Sequence, residues 1–407
     1  MREETIRKDW PNGVRLAMQR KPGFAGAALG LWLVNGTRHQ APEEDGYAHL
    51  LEHILLEGPE AGQARLRAFE RLGGRVNAQT GRELTTLYGT VPGDRATDLA
   101  RQLAQALHSG PISRDALVRQ RGVLEREREA WNSDPAAVLE DRALAAALGD
   151  DPLARPLPGE SDALARATPL SLSRYWSATI HGGRVLVATV GNVDPADLEQ
   201  ALSPLSELPD GGPPPVTPAR WHGPVAVSPS RADEFGQLSW LLPAPGAASP
   251  DRDAARLANQ ILGDGMDSRL DRKLRHESQL AYRFRARIET YSDLGLWWLE
   301  VDTDPQWRDT CRQVVEETVQ ELAEEGPTEQ EVRDAVAHWH AEETLQRDDL
   351  LTQMERLALQ RIYDPEGEAR APDGITAAAL RDLVADAWGR RIAPPAELPA
   401  RMRAPVH

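Results

Sequence analysis

Apolar residues run almost unbroken from Gly23 to Gly36, through Ala27-Ala28-Leu29-Gly30-Leu31-Trp32-Leu33-Val34, and this pattern predicts a buried strand. The run is too short and too glycine-broken to cross a bilayer, which takes about 20 apolar residues. Past the turn-forming Pro42-Glu43-Glu44-Asp45, the apolar-rich stretch Gly46 to Glu57 predicts a helix. Arg75 to Thr80 and Leu84 to Val91 then read as two strands about a turn at Gly81. The second half repeats this order: Ala281 to Arg287 and Leu296 to Val301 flank a turn at Ser292-Asp293-Leu294-Gly295. Ser113 to Asp134 reads as a long helix, and Thr328-Glu329-Gln330-Glu331 is a capping box opening another helix that runs into the 340s.

Between Ser203 and Pro218 the density of Pro and Gly, including Pro213-Pro214-Pro215, predicts neither a helix nor a central strand. This linker cuts the chain nearly in half. The expected organisation is an N-terminal domain over 1–205, a linker over 206–219 and a C-terminal domain over 220–407, the two domains being copies of one α+β unit.

Composition narrows the function. With 407 residues, 41% of them hydrophobic, the chain can bury a large core. Its formal net charge is −16, lysine occurs only at Lys8, Lys21 and Lys273, and no basic run is long enough to track a phosphate backbone, so nucleic acid is not an expected partner. The amino terminus Met1-Arg2-Glu3-Glu4 shows no export signal and no membrane span is expected, which points to a cytoplasmic protein. A single cysteine, Cys311, excludes an internal disulfide and a multi-cysteine metal site. Any metal must be held by His and carboxylate.

The helix predicted over Gly46 to Glu57 carries such a set. His49 and His53 stand four residues apart and share a face, so both imidazoles can reach one ion. Glu52, beside His53 and three residues from His49, can address a bound water; this is the inverted form of the commoner zinc-peptidase motif. Glu125, Glu127 and Glu129 on the long helix compete as a third ligand. Gln120, Leu124, Glu127 and Trp131 fall on one inward face, whereas Glu125 and Glu129 neighbour Arg121 and Arg128 as on a solvated face. Glu127 is therefore the expected third ligand. Of the other histidines, His338 and His340 are two apart on a helix and face different ways, while His39, His108, His181, His222 and His276 lack partners at ligand spacing; they read as surface or packing residues.

These motifs make the chain resemble the pitrilysin/insulinase family of zinc peptidases, specifically its short two-domain branch of bacterial and mitochondrial processing peptidases. The resemblance runs through Gly36-Thr37-Arg38, Gly46 to His53, Leu72 to Ala78, Thr80-Gly81-Arg82-Glu83 and Glu127 to Pro135, and into Asp267-Ser268-Arg269-Leu270, Leu274-Arg275 and Leu280-Ala281-Tyr282. It implies two homologous α+β domains, each a mainly antiparallel sheet covered by helices, and one Zn2+ per chain. It also implies that Arg275 and Tyr282 reach the substrate and the zinc site of the other domain, and that short-branch chains pair to enclose a chamber. Because both motifs are present, a homodimer is expected.

Two departures from the family pattern stand out. Gln120 lies seven residues before Glu127, where active relatives usually carry a glutamate, and Gln40 replaces a commonly acidic residue before the motif helix. The change at Gln120 removes a charge behind the ligands without removing a ligand. The expected activity is a metalloendopeptidase with Glu52 as base, and with Arg275 and Tyr282 on the substrate carbonyl. Extended peptides would add to the strand edge at Asn77 and Ala78. The competing expectation is a weakly active or inactive peptide-binding or structural subunit.

Overall fold

The computed structural model, described for residues 4–58, 64–108, 113–365 and 372–398, opens with strands β1 (Glu4–Asp9) and β2 (Arg15–Arg20) and then β3 (Gly26–Leu33), the expected buried strand. Helix α1 (Tyr47–Glu57), hairpin β4 (Arg75–Thr80) and β5 (Thr85–Pro92), and helices α2 (Ala96–Leu107), α3 (Arg114–Ser133) and α4 (Pro135–Leu148) follow, before β6 (Val185–Gly191). The second half runs β7 (Val225–Ala226), β8 (Gln237–Pro245), α5 (Arg252–Asn259), β9 (Ala281–Thr290), β10 (Leu294–Thr303), α6 (Arg308–Glu325), α7 (Glu329–Leu345), α8 (Leu350–Tyr363), α9 (Ala377–Gly389) and β11 (Ile392–Ala393). Strand, helix, hairpin, helices and closing strand thus occur twice in the same order. The Pro/Gly-rich stretch carries no strand, but it begins with a short 3-10 turn over Ser203–Glu207, where Pro204 sits at a helix start that tolerates it.

Two sheets result, ordered β1-β2-β6-β3-β5-β4 and β7-β11-β8-β10-β9. Among the described residues, only β2 with β6 and β7 with β11 pair in parallel; the other pairings are antiparallel. The fold is accordingly α+β with mainly antiparallel sheets.

The chain divides into two compact units, but each is assembled from three stretches rather than from one half. The first comprises 1–130, 155–217 and 345–366; the second comprises 131–154, 218–344 and 367–407. Burial explains this arrangement. In the first unit, Leu29, Leu31, Leu33, Val185 and Val187 face the main core, where α1 and α2 pack. Ala28, Trp32, Leu186, Ala188 and Val190, on the alternate positions, face the other way and are covered by Met354 and Ala358 of α8. In the second unit, Leu241, Leu296, Trp298 and Ile392 are covered in the same manner by Leu139, Ala143, Leu144, Ala147 and Leu148 of α4. Each sheet therefore closes its second face with a helix from the opposite half of the chain. A cut at 206–219 alone does not reproduce these units.

No helix among the described residues is long and apolar enough to cross a membrane.

Candidate metal centre

Helix α1 buries Tyr47, Ala48, Leu50, Leu51, Ile54 and Leu55. That choice leaves His49, Glu52 and His53, at i, i+3 and i+4, together on the half-buried face. Gly46 opens the helix with φ +87, a left-handed conformation that favours glycine, and Leu164 packs about 3 Å from where a Cβ would stand. Gln40, buried at 4% exposure, accepts from Ala48 N at 2.6 Å through its amide oxygen and so caps a free N–H of the first turn without a charge. At the other end, Arg65 donates to the carbonyls of Ile54 and Leu55 at 3.0 and 2.8 Å.

Helix α3 supplies the third donor. Ala116, Leu117, Gln120 and Leu124 are buried, and Glu127 follows at the rim with its side chain 46% exposed. Glu127 Oε2 lies 3.3 Å from His49 Nε2 and 3.6 Å from His53 Nε2. Among the described residues, His49, His53 and Glu127 form a group of three potential ligands whose atoms all lie within 4.8 Å of one another. Glu125 instead pairs with Arg128 at 2.5 Å, three residues on, while Arg121 donates to the Ala167 carbonyl.

Two imidazole nitrogens and one carboxylate oxygen are the donor chemistry of a catalytic zinc site with an open position. Burial, reinforced by nearby His53, pushes His49 down to about 4, so its imidazole is neutral at physiological pH and its lone pair is available. Its Nδ1 is buried without a hydrogen-bond partner. The residues fit the metal.

Glu52 is shaped as a base. Burial raises its carboxyl above the usual range, opposed by a hydrogen bond from Thr80 and by His53. Thr80 Oγ1 donates to Glu52 Oε2 at 2.6 Å. Thr80 closes β4, the outermost strand in the sheet order, with Ala78 buried on its face and Asn77 exposed on the other. Asn77 lies within the strand, where its amide donates to Tyr88 Oη at 3.3 Å. Behind His53, Gln120 Oε1 lies 3.0 Å from Nδ1, and Gln120 Nε2 donates to Glu57 Oε2 at 2.8 Å.

His49, Glu52, His53, Glu127 and Gln120 thus come together in the first unit, with the strand bearing Asn77 and Ala78 joined to them through Thr80. Arg275 and Tyr282 belong to the second unit. Arg275 lies in a wide-turn helical segment, Arg272–Glu277, 3.4 Å from Asp271 and over the Phe284 ring at 6.0 Å. Tyr282 is the second residue of β9. His338 and His340 are each exposed on their helix, the first beside Glu342 and the second beside Asp373. Thr80 and Glu57 had no assigned role from sequence, yet each carried a signal. Thr80 shares the alternation of Val76 and Ala78, and Glu57 stands four residues after His53 on one helix face.

Residues 15–161 match the family described as Insulinase (Peptidase family M16), and residues 166–338 match Peptidase M16 inactive domain. An uncharacterized zinc protease of Bacillus subtilis is 26% identical over 80% of this chain and 80% of its own. The mitochondrial-processing peptidase subunit beta of Blastocladiella emersonii is 28% identical over 76% of this chain and 69% of its own. A protease of Helicobacter pylori of known structure superposes with a TM-score of 0.83 over 97% of this chain and 99% of its own, at 15% identity, a likeness that speaks to the fold.

Proposed function

Because the chain belongs to the insulinase peptidase family, M16, in its two-domain form, we propose that it is a zinc metalloendopeptidase acting on unfolded or presequence-like peptides. The observation that carries this reading is the convergence of His49, His53 and Glu127 donors within 4.8 Å of one another, beside a buried Glu52. These three side chains would hold one zinc ion per chain, which when bound polarises the scissile carbonyl and acidifies water.

The chain's own residues do the rest. Thr80 donates to Glu52 Oε2 and holds the carboxylate in place, and Glu52 accepts a proton from the attacking water. As oxygen bonds to the carbonyl carbon and the C–N bond breaks, Glu52 passes that proton to the departing amine nitrogen. Raised by burial, the Glu52 carboxyl is a stronger base than an exposed one, which suits proton transfer near neutral pH. Extended peptide adds to the β4 edge at Asn77 and Ala78 through main-chain hydrogen bonds, a mode that tolerates many sequences. Arg275 and Tyr282 serve the substrate carbonyl and the developing oxyanion, a type of contact whose loss costs roughly 10²–10³ in kcat. Two copies of the chain enclose the chamber as a homodimer.

A second reading, a weakly active peptide-binding subunit, draws on Gln120, a neutral amide where the resemblance leads to glutamate. One experiment separates them: cleavage of a quenched, unstructured peptide by zinc-loaded protein and by Glu52→Gln with equal zinc content. The expected result is turnover by the parent that falls about 10²–10⁴-fold in the variant, and that chelator abolishes and zinc restores. Equal, background rates in both would overturn the peptidase reading in favour of the second.

A further inference from the structure

We propose that Glu57 and Gln120 act together as positioning residues that fix which nitrogen of His53 carries its hydrogen, and so present the other to the metal; this rests on the zinc-site reading above. Glu57 is an acceptor, so the Gln120 atom 2.8 Å from its Oε2 is the amide nitrogen. That turns Gln120 Oε1 toward His53 Nδ1 at 3.0 Å. An amide oxygen accepts only, so Nδ1 must carry the hydrogen. Nε2, the nitrogen 3.6 Å from Glu127 Oε2, then offers a lone pair, the form a ligand requires.

The reversed arrangement is self-defeating. With its amide flipped, Gln120 would press an oxygen against the Glu57 carboxylate and offer N–H to Nδ1, driving the His53 hydrogen onto Nε2, where a metal would bind. Solvent cannot relieve that mismatch at Gln120, which is 1% exposed. Arg119 places a guanidinium nitrogen 3.8 Å from Glu57 Oε2. The geometry is economical: Glu57 stands one turn beyond His53 on α1, and Gln120 stands two turns before Glu127 on α3. The amide at Gln120 therefore adds no negative charge behind His53, yet Glu57 gives it a direction that a lone glutamine lacks.

The test reads the tautomer and the metal, not turnover. In zinc-free protein carrying isotope-labelled histidine, ring nitrogen shifts should report Nδ1–H at His53 in the parent and a mixed or Nε2–H state in Glu57→Gln. Zinc affinity, measured by competition with a chromophoric chelator, should fall roughly 10- to 100-fold in Glu57→Gln. Combining Glu57→Gln with Gln120→Glu should restore both, because the amide introduced at 57 donates to a carboxylate at 120 that accepts from Nδ1. An Nε2–H His53 in the parent overturns the proposal outright. So does a Glu57→Gln protein with unchanged tautomer and affinity, or a folded combined variant as weak as the single one. A parent that binds zinc but cleaves nothing would sink the peptidase reading alone, leaving this one standing.

Discussion

His49, Glu52 and His53 owe their meeting to helix geometry alone, since positions i, i+3 and i+4 share a face whatever surrounds them. Thr80 is different: it comes from another element and touches Glu52 through a hydrogen bond that favours the ionised carboxylate. Removing that bond, as in Thr80→Val, raises the Glu52 carboxyl further, so the base form is populated only at higher pH. The acid limb of kcat/KM should move to higher pH, with a loss along that limb of roughly 10-fold, the scale of about 1.5 kcal/mol for a hydrogen bond to a charged group, and the loss should fade as pH rises. A pH–rate series on parent and variant with matched zinc content checks this, and a uniform loss at every pH would contradict it. Glu127 was legible because Gln120 and Leu124 mark the buried side of its helix, although Glu127 itself lies at the rim. Glu57 was not, because a glutamate one turn beyond His53 reads as a solvated helix residue until the fold brings Gln120 to it.

At the scale of elements, the capping box at Thr328 is realised: Thr328 N donates to Glu331 Oε2 at 2.8 Å and Glu331 N donates to Thr328 Oγ1 at 3.2 Å. Glu331 also accepts from Arg269 at 2.8 and 2.9 Å. That pair, with the capping bonds adding to it, holds the Glu331 carboxyl down from its usual 4.5 to about 2. A depressed carboxyl contributes stability that is present above its unfolded value and disappears as pH falls through its folded one. Glu331→Gln should therefore lower stability by about 1 kcal/mol at neutral pH, discounted for the partial exposure of the pair. The deficit should shrink between about pH 4.5 and pH 2. Denaturant melts across that window measure it; a deficit independent of pH would assign the effect to packing. The strands were legible from alternation and apolar runs, with ends shifted by a few residues, as at β10, which begins at Leu294 rather than Leu296.

For the whole molecule, the crossing of α4 and α8 between the two halves of the chain makes neither half self-sufficient. A fragment of residues 1–217 lacks Met354 and Ala358, so Ala28, Trp32, Leu186, Ala188 and Val190 would face water on the uncovered side of the first sheet. This fragment should aggregate or bind hydrophobic dyes when expressed alone and become soluble when the 218–407 segment is co-expressed. A monomeric, cooperatively folding 1–217 fragment would refute the dependence. Light scattering of the full chain tests the proposed homodimer, with a mass near twice 44.8 kDa expected. The sequence by itself determined the α+β class, the duplicated order of elements and the spacing of His49, Glu52 and His53, because strand and helix periodicities are set by backbone geometry over a few residues. Only the tertiary structure decided that Thr80 reaches Glu52, that Glu57 reaches Gln120, and that each sheet is covered by a helix from the opposite half. Both helices bury apolar side chains and each sheet buries apolar residues on both faces, so local pattern cannot choose between them, and long-range packing does.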